Sequence, residues 1–134
     1  MIDVENEIFA SVANPLREKY ENIFITGEYV KSPPSFPCVS IIEMDNVVYQ
    51  KTGTTDVMEN HAQLLYEINV YSNKTTGKKT EVKKIIKVID KIFGQIGFTR
   101  IMSAPVPNEQ DNSIYRMVSR YRAVVSTNKT IFRR

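Results

Sequence analysis

Residues Glu59–Arg100, ENHAQLLYEINVYSNKTTGKKTEVKKIIKVIDKIFGQIGFTR, constrain the fold more than any other part of the chain. Their first part alternates. Leu64, Tyr66, Ile68 and Val70 share one side of an extended chain, and Leu65, Glu67, Asn69 and Tyr71 share the other, so Gln63–Ser72 reads as a strand with one face toward a core. The period then changes. Val82, Ile85, Ile86, Ile89, Ile92 and Phe93 recur at helical spacing, with Lys83, Lys84, Lys87, Asp90 and Lys91 on the remaining surface. Thr75 or Thr76 is expected to cap this helix. Gly97 is placed to end it in the left-handed region, with Phe98 folding back on Phe93. A stripe this wide needs a sheet to cover. Six such side chains supply roughly 10 kcal/mol of gross burial, before the entropy of ordering them.

The rest of the chain extends the same plan. Residues 2–20 carry Ile2, Ile8, Phe9, Val12, Leu16 and Tyr20 near a helical period, with Asp3, Glu5 and Glu7 at the favourable end of the helix dipole. Pro15 is expected to kink that helix or to divide it at Asn14. Ile23–Val30 reads as a strand, Lys31–Pro37 as a three-proline loop, and Cys38–Met44 as a second strand. Asp45-Asn46 is expected to turn the chain into a third strand near Val47–Lys51. Residues 50–61 are expected to form a long exposed loop, Phe98–Met102 a short strand, Ser103–Ser113 a polar loop, and Ile114–Val125 the last long strand. On that strand Tyr115, Met117, Tyr121, Ala123 and Val125 face one way. Ile114, Arg116, Val118, Arg120, Arg122 and Val124 face the other. These elements predict an α+β fold, a mixed and mostly antiparallel sheet packed against an N-terminal helix and one central amphipathic helix. At 134 residues the chain makes one domain over residues 1–125, followed by a polar tail over 126–134. If the first four strands form a meander, loops 31–37 and 50–61 lie at one end of the sheet. The helix then sends the next strand parallel to the one before it, and loop 103–113 lies at the other end.

Composition narrows the function classes. No apolar run approaches the length needed to span a bilayer, and the acidic N-terminus does not read as a signal peptide. Cys38 is the only cysteine, so no disulfide framework exists within the chain. The net charge of +3 is unevenly placed: residues 1–67 hold 11 acids and 4 bases, residues 68–134 hold 4 acids and 14 bases. Such polarity suits the meeting of two faces of neighbouring copies, or a basic face on nucleic acid, unless the halves interleave in space and the charges mix.

Chemistry finds little to stand on. One histidine, His61, and one cysteine cannot supply a four-ligand zinc site, and a Cys/His nucleophile lacks a third orienting group. Asp45, Asp56, Glu59, Glu109 and Asp111 lie in loops expected at different ends, where they do not converge on a metal. No phosphate-cradling glycine motif is present. The expectation is a protein that is not an enzyme, with no metal and no cofactor. Arg116, Arg120 and Arg122 share a strand face. They could grip phosphates, but pairing with Glu43 and Glu67 is preferred, across the sheet or on a neighbouring subunit.

The run ITGEYV, PPSFPCVSIIEMDN, ENHAQLLYEINVYSN, TGKKTEVKKIIKVIDKIFGQIGFTR and PNEQDNSIYRMVSRYRAVV resembles small head–tail morphogenesis proteins of Gram-positive phages and prophages. The pattern, over Asp3 to about Val125, is similar to the tail-terminator or tail-completion group, which includes the minor tail protein U type. The resemblance implies a hexameric ring that caps the tail tube, ends its polymerisation and docks on the neck or connector, with DNA as cargo in the lumen. It implies residence at the head–tail junction of the virion, after assembly in the host cytoplasm, and no membrane partner. On this reading Arg116, Arg120, Arg122, Glu43 and Glu67 help close the ring. Pro33, Pro34, Phe36, Asp56, Met58 and Glu59 make one axial contact, and Asn108, Glu109 and Asp111 the other. The alternatives are another neck protein, adaptor or stopper, or a DNA-binding accessory protein that uses the arginines and the lysine-rich helix.

Overall fold

Two twelve-residue strands pair along their whole length at the centre of the molecule, His61–Ser72 (β3) and Tyr115–Ser126 (β5). The computed structural model describes residues 1–48, 61–107, 111–126 and 131–132. Around the central pair lie α1 (Glu5–Lys19), β1 (Phe24–Thr26), β2 (Cys38–Val48), α2 (Lys78–Gln95), β4 (Thr99–Pro105) and β6 (Ile131–Phe132). The sheet order is β1-β2-β3-β5-β4, with β6 beside the end of β5. β1 is parallel to β2 and every other pairing is antiparallel. The fold is therefore mixed α+β with a mostly antiparallel sheet, as the sequence predicts.

The alternation in β3 and β5 assigns the two sheet faces. Leu64, Tyr66, Ile68 and Val70 of β3 and Met117, Tyr121, Ala123 and Val125 of β5 belong to one buried cluster with Val82, Ile85, Ile86, Ile89 and Phe93 of α2. Ile92, expected in the stripe, is half-buried at its margin. Phe93 is the hub. Its ring stacks on Tyr121 at 4.3 Å between centroids and meets Phe98 edge-on at 5.1 Å. Such aromatic pairs add stability beyond their buried area.

The end of α2 follows the sequence closely. Gly97 has φ 103°, its N–H donates to the Gly94 carbonyl, and the Phe98 N–H donates to the Phe93 carbonyl at 2.8 Å. These are the two bonds of a Schellman end, with Phe98 packed on Phe93 as its apolar contact. The beginning differs. Neither Thr75 nor Thr76 caps the helix; Gly77, at φ 83°, is the N-cap and supplies no side chain. The first turn is tied down through Glu81, whose carboxylate accepts from Ser72 Oγ at 2.6 Å and pairs with Lys74 at 3.1 Å.

Four further departures have physical reasons. α1 remains one element through Pro15. Proline there removes one late backbone bond, while Val12, Ala13 and Leu16 are wholly buried and hold the turn in place. At its start Asp3 accepts from the Glu5 N–H at 3.1 Å, and the acids of the first turn and the bases of the last suit the dipole. Asp45-Asn46 makes no turn. β2 runs straight through it with a bulge between Glu43 and Asp45, because β3 is long enough to pair on both sides and Asn46 Nδ2 donates to the Ile2 carbonyl at 2.7 Å. β1 is only three residues long and parallel to β2, so the first strands are not a meander. β4 extends to Pro105 and runs in the direction of β3, but β5 lies between them, paired to both.

Register then fixes the ends of the sheet. Cys38, Tyr71 and Arg116 form one row, so segments 31–37, 73–77, 106–107 and 111–114 share an end. The chain leaves the opposite end at Val48 and returns at His61. Loop 31–37 thus lies with residues 106–107 and 111–114 and not across the sheet from them. The tail is not wholly free of structure either, since Ile131 and Phe132 pair with Val125 and Val124.

Candidate functional site

The sheet face turned away from the helices carries the polar residues that alternation assigned to it; Glu67, Asn69 and Tyr71 are buried, Arg116 and Arg120 half-buried and Arg122 exposed. Asn69 and Ser40 are directly paired across β3 and β2 and have no exposed surface. Asn69 Oδ1 accepts two bonds from Arg116, from Nε at 3.0 Å and from a terminal nitrogen at 2.7 Å. The Arg116 guanidinium also lies over the Tyr71 ring, 5.5 Å from its centroid. Burial raises the Tyr71 phenol above its ordinary range, while Arg116 pulls it back down. One row along, Glu67 and Arg120 are direct partners and form an ion pair at 3.6 Å. Tyr29, in the segment after β1, crosses this face and donates its hydroxyl to Glu67 at 3.3 Å. Burial, and then the Glu67 charge, hold the Tyr29 phenol above its ordinary value.

The five residues expected to act together therefore separate. Arg120 pairs with Glu67 within the chain, Arg116 binds a neutral amide, and Arg122 is exposed on the same face. Glu43 is on the opposite face, where it accepts from the Tyr66 hydroxyl at 3.2 Å. Alternation after Val39 and Ile41 and the pairing with Tyr66 place it on the packed face, before the bulge. Burial raises its carboxyl above the usual range, and the nearby Glu5 and Asp3 charges push it the same way, against the Tyr66 bond. Of the axial residues, Pro33 and Phe36 are half-buried, and Pro34 and Asp111 are exposed. Asp111 accepts from the Ser113 backbone and hydroxyl, bonds that hold its carboxyl below the usual range. Asp56, Met58, Glu59, Asn108 and Glu109 lie outside the described residues.

No catalytic constellation assembles among the described residues. Cys38 and His61 stand at opposite ends of the central strands, on the order of 30 Å apart at strand spacing. Burial pushes the Cys38 thiol up to about 11, which keeps it protonated and a poor nucleophile at neutral pH. Among the described residues, no group of three or more His, Cys, Asp or Glu could hold a metal ion. Among the described residues, no helix is long and apolar enough to cross a membrane.

The larger feature is where the two halves of the sequence come to rest. Residues 67 and 68, between the acid-rich and base-rich halves, lie in the central strand β3. β1 and β2 occupy one side of it, and β5 and β4 the other, beneath α2. The outer strands of the two halves do not interleave, although α1 packs against α2. Glu28, Glu43 and Asp45 gather with Asp3 and Glu5 on the β2 side, and Arg100, Arg120 and Arg122 lie on the β4 side, where Arg100 pairs with Asp90 and Arg120 with Glu67. No protein-family model matches the chain, and no curated protein matches it. Sequence reading located the strand faces but missed the Asn69–Arg116 and Tyr29–Glu67 bonds. The alternation already placed Asn69, Glu67 and Arg116 on one face; the crossing of Tyr29 depends on β1 being short and parallel, which no local signal gives.

Proposed function

We propose that this chain is a structural subunit of the head–tail interface of a long-tailed phage or prophage. In the tail-terminator role it would form a ring that caps the tail tube, ends its polymerisation and docks on the neck or connector. The observation that carries the self-assembly in this reading is the segregation of acidic and basic elements to opposite sides of one sheet. A subunit polarised in this way attracts copies of itself head to tail and repels them head to head. The two ends of the sheet, with residues 31–37, 106–107 and 111–114 at one and the Val48 and His61 termini at the other, would serve the axial partners. Placement at the phage neck is supported by the resemblance over Asp3 to about Val125.

The work in this reading is done by binding energy at three surfaces: subunit on subunit, ring on tube, ring on neck. DNA is cargo. Virion reconstruction with the full-length protein tests it. A ring at the head-proximal end of the tail is the expected result, and purified virions that lack the protein at the neck would overturn it.

A further inference from the structure

Both outer strands of the sheet have an open edge. β1 covers β2 only from Cys38 to Ser40, and Gly27, beside the Ile41 carbonyl, carries the chain away. From Ile42 to Val48, β2 has no neighbour on that side among the described residues. On the far side β4, seven residues long, pairs among the described residues with β5 alone. Unpaired N–H and C=O groups along a strand are a template for another strand.

The two edges match in length and in chemistry. Each has a bulge, between Glu43 and Asp45 in β2 and between Arg100 and Met102 in β4. Each bulge presents an exposed apolar side chain, Met44 at 39% and Ile101 at 47%. Val47 and Val48, also about half exposed, extend the apolar strip on β2. Beside β2 a groove is lined by Phe9, Ile41 and Tyr66, with Glu5 and Glu28 among its lining residues. The charge beside β4 has the opposite sign, from Arg122, exposed on the adjacent strand, while Arg100 is paired with Asp90 of its own chain at 3.3 Å.

We infer that copies of this chain associate edge to edge, β4 of one copy adding to the free Ile42–Val48 segment of β2 in the next. Acid against acid disfavours β2 on β2, and base against base disfavours β4 on β4, so the opposite charges select the heterologous pairing. Successive copies related by rotation about an axis along the strands bring β2 and β4 together antiparallel, because the two already run in opposite directions within one chain. The same axis leaves the two loop-bearing ends on opposite axial faces. Such a contact closes into a ring or continues as a filament, depending on the rotation per copy. The inference rests on the self-assembly in the proposed function and not on its location in a virion.

The test uses the full-length chain with a photoreactive phenylalanine at position 101, and the same probe at Lys83 on the exposed side of α2 as control. Adducts from position 101 are expected to map to residues 42–48 of another copy, and those from position 83 are not. Asp45→Arg and Arg122→Glu, both at exposed positions on the same sheet face, are each expected to weaken association about fivefold, the upper range for an exposed charge pair. The two combined in one chain are expected to recover it, since every interface then holds one of each. A monomer at all concentrations and salt levels overturns the inference, as does an assembly whose position-101 adducts map elsewhere. If the adducts map as expected while virions lack the protein at the neck, the inference stands and the phage reading falls.

Discussion

On the helix-covered side of β3, Tyr66, Ile68 and Val70 have no exposed surface; on the other side, one residue along, Asn69 has none and Glu67 and Tyr71 have little. The two faces are buried to a similar depth by different means. The first is held by shape: α2 supplies an apolar stripe, and Phe93 interlocks with Tyr66, Phe98 and Tyr121. The second is held by directed bonds from Arg116, Arg120 and Tyr29. Apolar packing contributes in proportion to area and tolerates exchange, whereas a buried hydrogen-bond network contributes little net but is costly to break singly. The first face should therefore dominate stability, and the second should fix how the segment after β1 lies on the sheet.

The most severe way to break that comparison is to empty the hub. Phe93→Ala removes the ring that stacks on Tyr121 and is expected to cost about 3–5 kcal/mol, read as a lower midpoint in urea unfolding. Asn69→Ala, on the opposite face of the same sheet, removes both acceptor contacts of Arg116. Its expected cost is about 1–3 kcal/mol, because the half-buried guanidinium can recover water on part of its surface. If Asn69→Ala costs as much as Phe93→Ala, the polar face is a second core and the contrast fails.

How much of this was legible in the sequence follows the same division. The stripe on α2 and the alternation on β3 and β5 depend on period alone, so the helix-covered face could be read directly, down to the Phe98–Phe93 closure after Gly97. Local turn chemistry misled at Asp45-Asn46, because the twelve residues of β3 pair with β2 on both sides of the bulge and tertiary pairing overrode the turn. The polar face could be listed but not wired. Alternation put Glu67 and the arginines on one side, yet Glu43 was misassigned to their company because the faces of β2 were not worked out: Glu43 follows Val39 and Ile41 in unbroken alternation and pairs with Tyr66, all on the packed face. The charge asymmetry was visible in the sequence, whereas its separation in space needed the strand order.

A gentler substitution sharpens the comparison by its sign. Ser40 Oγ is buried and has no protein partner among the described residues, although it sits opposite Asn69. A hydroxyl desolvated in that way opposes folding. Ser40→Ala is therefore expected to leave stability unchanged or raise it by about 1 kcal/mol, where truncation on the packed face lowers it. A loss of 2 kcal/mol or more on chemical denaturation would mean that the hydroxyl is bonded and the polar network reaches into β2.

The smallest effect lies at Glu43, the carboxylate expected beside the arginines that instead lies on the packed side. Its carboxyl is raised above the ordinary value of 4.5, first by burial and then by Glu5 and Asp3. The sign follows from proton binding. In the window just above 4.5 the folded chain holds this proton more tightly than the unfolded chain, so folding is favoured at the acid side and loses that contribution as pH rises through the raised value. Glu43→Gln keeps an acceptor for the Tyr66 hydroxyl and removes the titration. The difference in unfolding free energy between the two proteins should drift in favour of the variant from pH 4 to 7 and then level off, by less than about 1 kcal/mol because the group is partly solvated. A flat difference curve would mean that water reaches Glu43 freely. In that case the acidic side of the sheet is hydrated, and its charges are screened before any neighbouring copy arrives.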